Sequence, residues 1–429
     1  MISQYTDSDL ETLMERYSAD SENDIVKPSF GKGSISDLPE VFMHALGLGG
    51  GQNVPEVLRG TYEQVDHLVF FLLDGFGHST MRGAIERFHP GEVEKFLSES
   101  AYTPITSVFP STTSTATVTV QTCREPVQHG IIGYTAYMSE IGAICNMISL
   151  TPLGNRGKSI LDDGWSDEGL LGGETLYSAI GKESLDSYLY LPSAIKNSGL
   201  TRITGRGANI TGYYSVPQMF SALRKNIESS GSGGIHFCYI STIDTISHRI
   251  GPGSEEVAVD MDNIFHLIEK ELTGKLRING SLGVMISADH GHTTVPIESV
   301  KDAASDERLA SYMRTPVVGD MRAPFLRIKP GLLQDAFEYV QYRYGGEFLV
   351  RYGHDMLKKG YFGNSDRNYD SRDRFGGIVL LPRGRTGMID SRLNILDPGM
   401  DISSLVGVHG GLSRDEMIVP FISRVKNYH

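Results

Sequence analysis

Two stretches of this chain, His67–Leu73 and Leu282–Ile286, are almost wholly apolar, and each soon gives way to an acid beside a glycine. The first leads into Asp74-Gly75-Phe76-Gly77, the second through Ser287 and Ala288 into Asp289-His290-Gly291-His292. A strand reads as a continuous apolar run when both of its faces are covered. A mostly parallel sheet flanked by helices gives that cover. Gly234–Ile240 is a third such run and delivers Ser241 to His248. The expected fold is therefore α/β, with a doubly wound, mostly parallel central sheet. In open sheets of this kind, ligands bind outside the carboxyl ends of the strands. The polar residues that end each run are the candidates for function.

With 429 residues the chain has room for one large domain and an insertion. Its formal net charge of -13 is not offset by any long basic block, which argues against a nucleic-acid polymer as partner. A small phosphate ester is compatible with that charge if cations meet it locally. Cys123, Cys145 and Cys238 show no CxxC spacing, so they suggest neither a disulfide framework nor a thiolate metal site. No apolar run is long enough to span a membrane, and the acidic start Met1-Ile-Ser-Gln-Tyr-Thr-Asp-Ser-Asp-Leu lacks the pattern of a signal peptide. The expected location is cytoplasmic.

Residues 1–62 read as an N-terminal extension, with helical spacing over Asp7–Tyr17 and a glycine-rich loop at 47–53. Residues 63–299 read as the first part of the main domain. Within it, Thr103–Phe109 is an expected strand stopped by Pro110, and Ser187–Leu191 another. Glu174–Ile180, Ser193–Ser198 and Val216–Ser229 are expected helices. Glu255–Leu272 is a longer amphipathic one, with Val259, Ile264, Leu267, Ile268 and Leu272 as its buried stripe. Residues 300–395 change character and read as an inserted α+β cap, built from strands Arg322–Ile328, Phe348–Tyr352 and Gly376–Leu381 around the helix Leu332–Tyr344. Residues 396–429 return to the main domain, with Glu416–Ile422 as the closing strand.

Asp244 and His248 are four apart, so one turn of helix places both on the same face. His409 lies in Gly407-Val408-His409-Gly410-Gly411, where glycines allow close backbone approach. The cluster Ser111-Thr112-Thr113-Ser114-Thr115 sits between a strand and a helix. It offers capping hydroxyls, amide N–H groups suited to a phosphate oxygen, and a candidate nucleophile. Each piece alone also fits a capped turn or a packed histidine. Together, Asp74, Thr113, Asp244, His248, Asp289, His290 and His409 supply the inventory of a two-metal site with open positions.

In this set and order the chain resembles the alkaline phosphatase superfamily, and within it the nucleotide pyrophosphatase/phosphodiesterase branch. The likeness rests on Asp74-Gly75, Phe109-Pro110-Ser111-Thr112-Thr113, Asp244-x-x-x-His248-x-x-Gly251-Pro252, Asp289-His290-Gly291 and Gly407-Val408-His409-Gly410. The resemblance implies one divalent ion held by Asp74, Asp289, His290 and the Thr113 oxygen, and another by Asp244, His248 and His409. Zinc is the expected metal, with manganese as the alternative. It implies Thr113 as nucleophile, third after Pro110, with Thr112 next in line. The implied activity is a phosphodiesterase or nucleotide pyrophosphatase passing through a phospho-enzyme, with a small phosphate ester such as a nucleotide as substrate. A phosphomonoesterase or a phosphonoacetate-type C–P hydrolase are the alternatives on the same scaffold, and a non-catalytic phosphate-binding protein is a further one. Two positions depart from the branch. Tyr134 stands where it has a phosphate-binding asparagine, and His292 where it usually has methionine. Tyr134, Asn146 and Phe76 are the expected substrate contacts.

Overall fold

A computed structural model of the chain describes residues 18–20, 24–155, 157–166, 173–364, 374–396 and 404–428. The helix expected over Asp7–Tyr17 lies outside the described residues. The central sheet has seven strands, in the spatial order Ala101–Thr106, Ile418–Tyr428, Gly280–Ser287, His67–Leu73, Gly234–Ile240, Asp186–Pro192 and Asn209–Tyr213. Only Ile418–Tyr428 runs against the rest. This is the expected doubly wound, mostly parallel architecture.

Every residue of His67–Leu73 and of Gly234–Ile240 is buried, which is why both read as unbroken apolar runs. Phe70 packs edge-on against Phe237 and Phe71 stacks on Phe220. Fully burying a side chain of this size contributes roughly 1.5–3 kcal/mol. Register then sets the position of the functional ends. Leu73 pairs with Ile240, and Leu72 with both Tyr239 and Ser287. The three strands therefore end almost level, and Asp74, Ser241 and Asp289 emerge side by side.

Several boundaries differ from expectation, each for a local reason. The strand toward Pro110 stops at Thr106, because Ser107 turns away and donates its hydroxyl to the Asp289 carbonyl. Residues 193–198 form turns rather than a helix. The helix there is Gly199–Thr204, with the Ser198 hydroxyl accepting from Thr201 N as its cap. The α-helix Glu255–Leu267 continues as a wider π turn over Ile268–Lys275. Its buried residues include Val257, Met261, Ile264 and Phe265, whereas Val259 is 53% exposed. Two positions after Val257 the chain has turned roughly 200°, so Val259 faces the opposite side.

A second seven-stranded sheet has the order Phe348–Tyr352, Ile378–Pro382, Ala323–Leu326, Val318–Asp320, Thr135–Met138, Ala143–Asn146 and Thr151–Pro152. Three of its strands come from residues 135–152, which the sequence alone assigned to the main domain. The helix Leu333–Tyr344 covers this sheet through Ala336, Val340 and Tyr344. Phe109, Ile132, Phe325, Phe362, Met417 and Ile418 form one buried cluster joining the two sheets. Among the described residues no helix is long and apolar enough to cross a membrane.

Candidate metal centre and nucleophile

The carboxyl ends of the central strands gather acids and imidazoles from distant parts of the chain. Asp74 follows His67–Leu73 directly, and the Tyr239 hydroxyl donates to its Oδ2. Asp289 Oδ1 accepts from Gly75 N at 3.1 Å and from His290 N at 3.0 Å, which leaves Oδ2 turned inward. His290 Nε2 lies 3.3 Å from Asp74 Oδ1 and 3.5 Å from Asp289 Oδ2. Thr113 is the first residue of the helix Thr113–Thr122. Its Oγ1 is 3.4 Å from Asp74 Oδ1 and 3.2 Å from His290 Nε2.

Next to this group, Asp244 and His248 share a face of the helix Thr242–Ile250, with His248 Nε2 3.1 Å from Asp244 Oδ1. His409 Nε2 is 3.8 Å from the same oxygen, and its ring stacks on that of His290 at 3.6 Å between centroids. Each of these imidazoles places Nδ1 against a backbone carbonyl: His248 on Gly407 O at 2.7 Å, His409 on Ser111 O and His290 on Gly291 O, both at 3.1 Å. With Nδ1–H donating there, Nε2 faces the centre, as in metal-binding histidines. The fold thus brings together all seven residues singled out from the sequence.

Burial and the closeness of like charges dominate the electrostatics. Burial, and next the charge of Asp244, push the Asp74 carboxyl up to about 8. Burial and then Asp74 hold Asp289 well above the usual carboxylate range. Burial also opposes charge on Asp244, but His248 and His292 outweigh it and keep this acid well below its ordinary value. Burial favours neutral His248, yet Asp244 draws it up to about 9. Asp289 Oδ2 and Asp244 Oδ1 are buried without a hydrogen-bond partner. Buried acids this close need a cation or a proton between them. The donor atoms of Asp74, Asp289 and His290 lie within 4.8 Å of one another, as do those of Asp244, His290, His292 and His409. Carboxylate and imidazole donors in this mixture suit zinc or manganese.

A cavity of about 350 Å³ opens over these residues, with Thr112, Thr113, Tyr134, Arg249, Asp320 and Met321 in its wall. Tyr134, an expected substrate contact, lines this cavity. Asn146 is not in the wall; its Oδ1 accepts from Ile148 N and Ser149 N and closes the turn after its strand. Phe76 packs at 5.9 Å from Phe265 in the hydrophobic core, away from the cavity. Asp320 and Arg249 were missed by sequence reasoning. Asp320 Oδ1 accepts from Thr112 Oγ1 and Tyr134 N, both at 3.2 Å, and burial pushes this acid up to about 7. The pairing of Gly319 with Thr135 carries Asp320 there, and nothing local in the sequence signals it.

The helix Thr113–Thr122 is fixed from below by a buried histidine. His129 Nδ1 accepts from Ile131 N, so its Nε2–H donates to Thr119 Oγ1, each at 3.0 Å. Burial, helped by Arg124 and Arg374, pushes His129 down to about 3. An unfolded histidine titrates near 6.5. Below that pH the unfolded chain gains a proton that folded His129 refuses, so this residue's contribution to stability falls as pH drops from about 6.5 toward 3. In His129→Asn the wild type's advantage in unfolding free energy should shrink by up to ~1.4 kcal/mol per pH unit between pH 6 and 4. Urea unfolding of both proteins at several pH values measures this, and the difference cancels the carboxylates. An advantage that stays constant with pH would contradict the assignment.

The family model described as type I phosphodiesterase / nucleotide pyrophosphatase matches residues 68–410. No curated protein matches in sequence. Among solved structures, murine ectonucleotide pyrophosphatase / phosphodiesterase 5 is similar, with a TM-score of 0.62 and 14% identity over 83% of this chain and 88% of that one. An inactive variant of the same murine protein, in complex with AMP, has a TM-score of 0.61 at 14% identity, covering 83% of this chain and 87% of that one. Phosphonoacetate hydrolase from Sinorhizobium meliloti 1021, in complex with phosphonoformate, has a TM-score of 0.58 at 16% identity, covering 83% and 89%. At these identities the likeness shows a shared fold.

Proposed function

Because the chain belongs to the type I phosphodiesterase / nucleotide pyrophosphatase family, we propose that it hydrolyses a small phosphate diester or pyrophosphate, with Thr113 as nucleophile and two divalent cations as cofactors. Asp74, Asp289, His290 and Thr113 would hold one cation, and Asp244, His248 and His409 the other. One observation carries the reading: the Thr113 hydroxyl stands between Asp74 Oδ1 and His290 Nε2, at a helix N-terminus that lines the cavity. When bound, two such cations stabilise the attacking and leaving oxygens of an in-line displacement.

The chain's own residues do the rest. Asp74 accepts the Thr113 hydroxyl hydrogen and orients the oxygen toward the cavity. Amides at the start of the helix Thr113–Thr122 face an incoming phosphoryl oxygen and favour its negative charge. Attack by the Thr113 oxygen would form a phosphoester at Thr113 as the bond from phosphorus to the leaving oxygen breaks, that oxygen departing with a proton; water would then attack phosphorus, releasing the phosphate product and restoring the Thr113 hydroxyl. Tyr134 and Arg249 offer polar contacts to the substrate from the cavity wall. AMP in the murine relative makes a nucleotide a reasonable first substrate. The three cysteines are unpaired, which supports a reducing compartment, and the cytoplasm is the proposed location.

The likeness to phosphonoacetate hydrolase keeps a second reading, C–P hydrolysis, in view. Initial rates on a phosphodiester, a phosphomonoester and phosphonoacetate, each with added zinc or manganese, separate the readings. The diester is expected to exceed the other two by at least about tenfold in kcat/KM, roughly 1.4 kcal/mol of transition-state preference. Faster turnover of phosphonoacetate would reverse the choice.

A further inference from the structure

His292 has no part in the function proposed above, yet its imidazole is wholly buried beside Asp244. Neither of its ring nitrogens has a hydrogen-bond partner, an expensive state for an imidazole unless something else satisfies it. Thr293 pairs with Val408 in a short antiparallel ladder, which sets His292 directly across from His409. The His292 ring centroid is 5.3 Å from that of His409 and 5.1 Å from that of His248.

The distances around Asp244 Oδ1 are informative. His292 Nε2 lies 3.0 Å from it, His248 Nε2 3.1 Å and His409 Nε2 3.8 Å. At 3.0 Å a hydrogen bond from His292 would be expected, but Nε2 and Oδ1 are not aligned for one and both remain without partners. The donor atoms of Asp244, His292 and His409 all lie within 4.8 Å of one another, close enough to share one cation. Donors bound to one zinc ion at about 2.0–2.1 Å in a tetrahedron lie about 3.3 Å apart, and the three observed separations bracket that spacing. Gly75 supplies the complementary space. A Cβ at Gly75 would fall 2.4 Å from His292 Cε1, so the glycine after Asp74 makes room for the ring.

We propose that His292 is a direct nitrogen donor to the cation beside Asp244, giving that position four protein donors: Asp244, His248, His292 and His409. The inference rests on the two-cation reading above. A site with four protein donors binds its ion tightly, and a reacting oxygen joins it only by expanding the coordination to five.

The test uses the full chain, zinc titration with a competing chelator, and the visible absorption of the cobalt-substituted protein. Wild type is expected to bind two zinc ions, and His292→Met should weaken one of them by at least about 100-fold while leaving the other unchanged. Cobalt absorption should weaken in the same variant, as water replaces an imidazole. His292→Gln keeps an N–H that can reach Asp244 but is a poor zinc donor, so it should behave like the methionine variant. It also serves if His292→Met does not fold. Unchanged affinity in both variants, or recovery by glutamine, would overturn direct ligation, recovery pointing to a hydrogen bond that orients Asp244. A wild type that binds no zinc would instead remove the two-cation reading, and this inference with it.

Discussion

Thr113→Ala is expected to lower kcat by at least about a thousandfold while binding as much zinc as the wild type. Removing a nucleophile leaves only the catalysis that binding and electrostatics can give, and losses of this order or larger follow. The methyl that remains keeps the start of the helix intact, and the buried face of Thr113–Thr122 runs through Ala116, Val118 and Val120, which the change does not touch. The zinc content is expected to hold because Asp74, Asp289 and His290 converge without help from the hydroxyl. Thr112→Ala is the control. Its hydroxyl donates to Asp320 at 3.2 Å, so its loss should cost activity only several-fold. Steady-state rates and metal analysis on both variants decide the matter. An inactive Thr112 variant beside an active Thr113 variant would move the nucleophile by one residue.

The second large effect is on stability. Arg322→Ala is expected to lower the unfolding free energy by about 3–5 kcal/mol, the usual cost of leaving a buried charge without its partner. Arg322 sits in the turn between the second-sheet strands Val318–Asp320 and Ala323–Leu326, Glu416 in the short helix Arg414–Met417 before the closing strand, and both are almost fully buried. The guanidinium grips the carboxylate through Nε at 3.1 Å and Nη2 at 2.7 Å, and Nη1 donates to the carbonyls of Gly384 and Thr386. Burial alone would raise the Glu416 pKa, but Arg322 outweighs it and keeps the acid ionised. Glu416 Oε1 also accepts from Gly411 N at 2.8 Å, two residues beyond His409. A shift in the urea midpoint at unchanged slope is the expected signature. A loss below about 1 kcal/mol would mean that the pair contributes no more than an exposed one.

How far the sequence reveals this molecule depends on the range of the forces involved. His67–Leu73, Gly234–Ile240, Val216–Ser229 and Phe348–Tyr352 were legible to the residue, because their burial is written in consecutive or periodic apolar positions. The acids and imidazoles after the strands stood out only as a set, because each alone also fits a capped turn or a packed histidine. The short strands of residues 135–152 were not, since two to four residues carry no period and they join a sheet formed mainly by residues nearly two hundred positions away. Phe76 looked functional beside Asp74, but the turn at Gly75 and Gly77 directs it into the core against Phe265. Asp320 was invisible for the reason that makes it interesting: only the contact between the two sheets brings it to Thr112.

That contact has a consequence for how such a chain can change over time. Asp74, Asp289 and His290 follow strands of the first sheet and Asp244 and His248 the helix after one of them, whereas Gly319, Asp320 and Met321, across the cavity, belong to the second sheet and its turn. Insertions or exchanges confined to the second layer can therefore reshape one side of the cavity while Asp74, Thr113 and Asp289 keep their supports in the first.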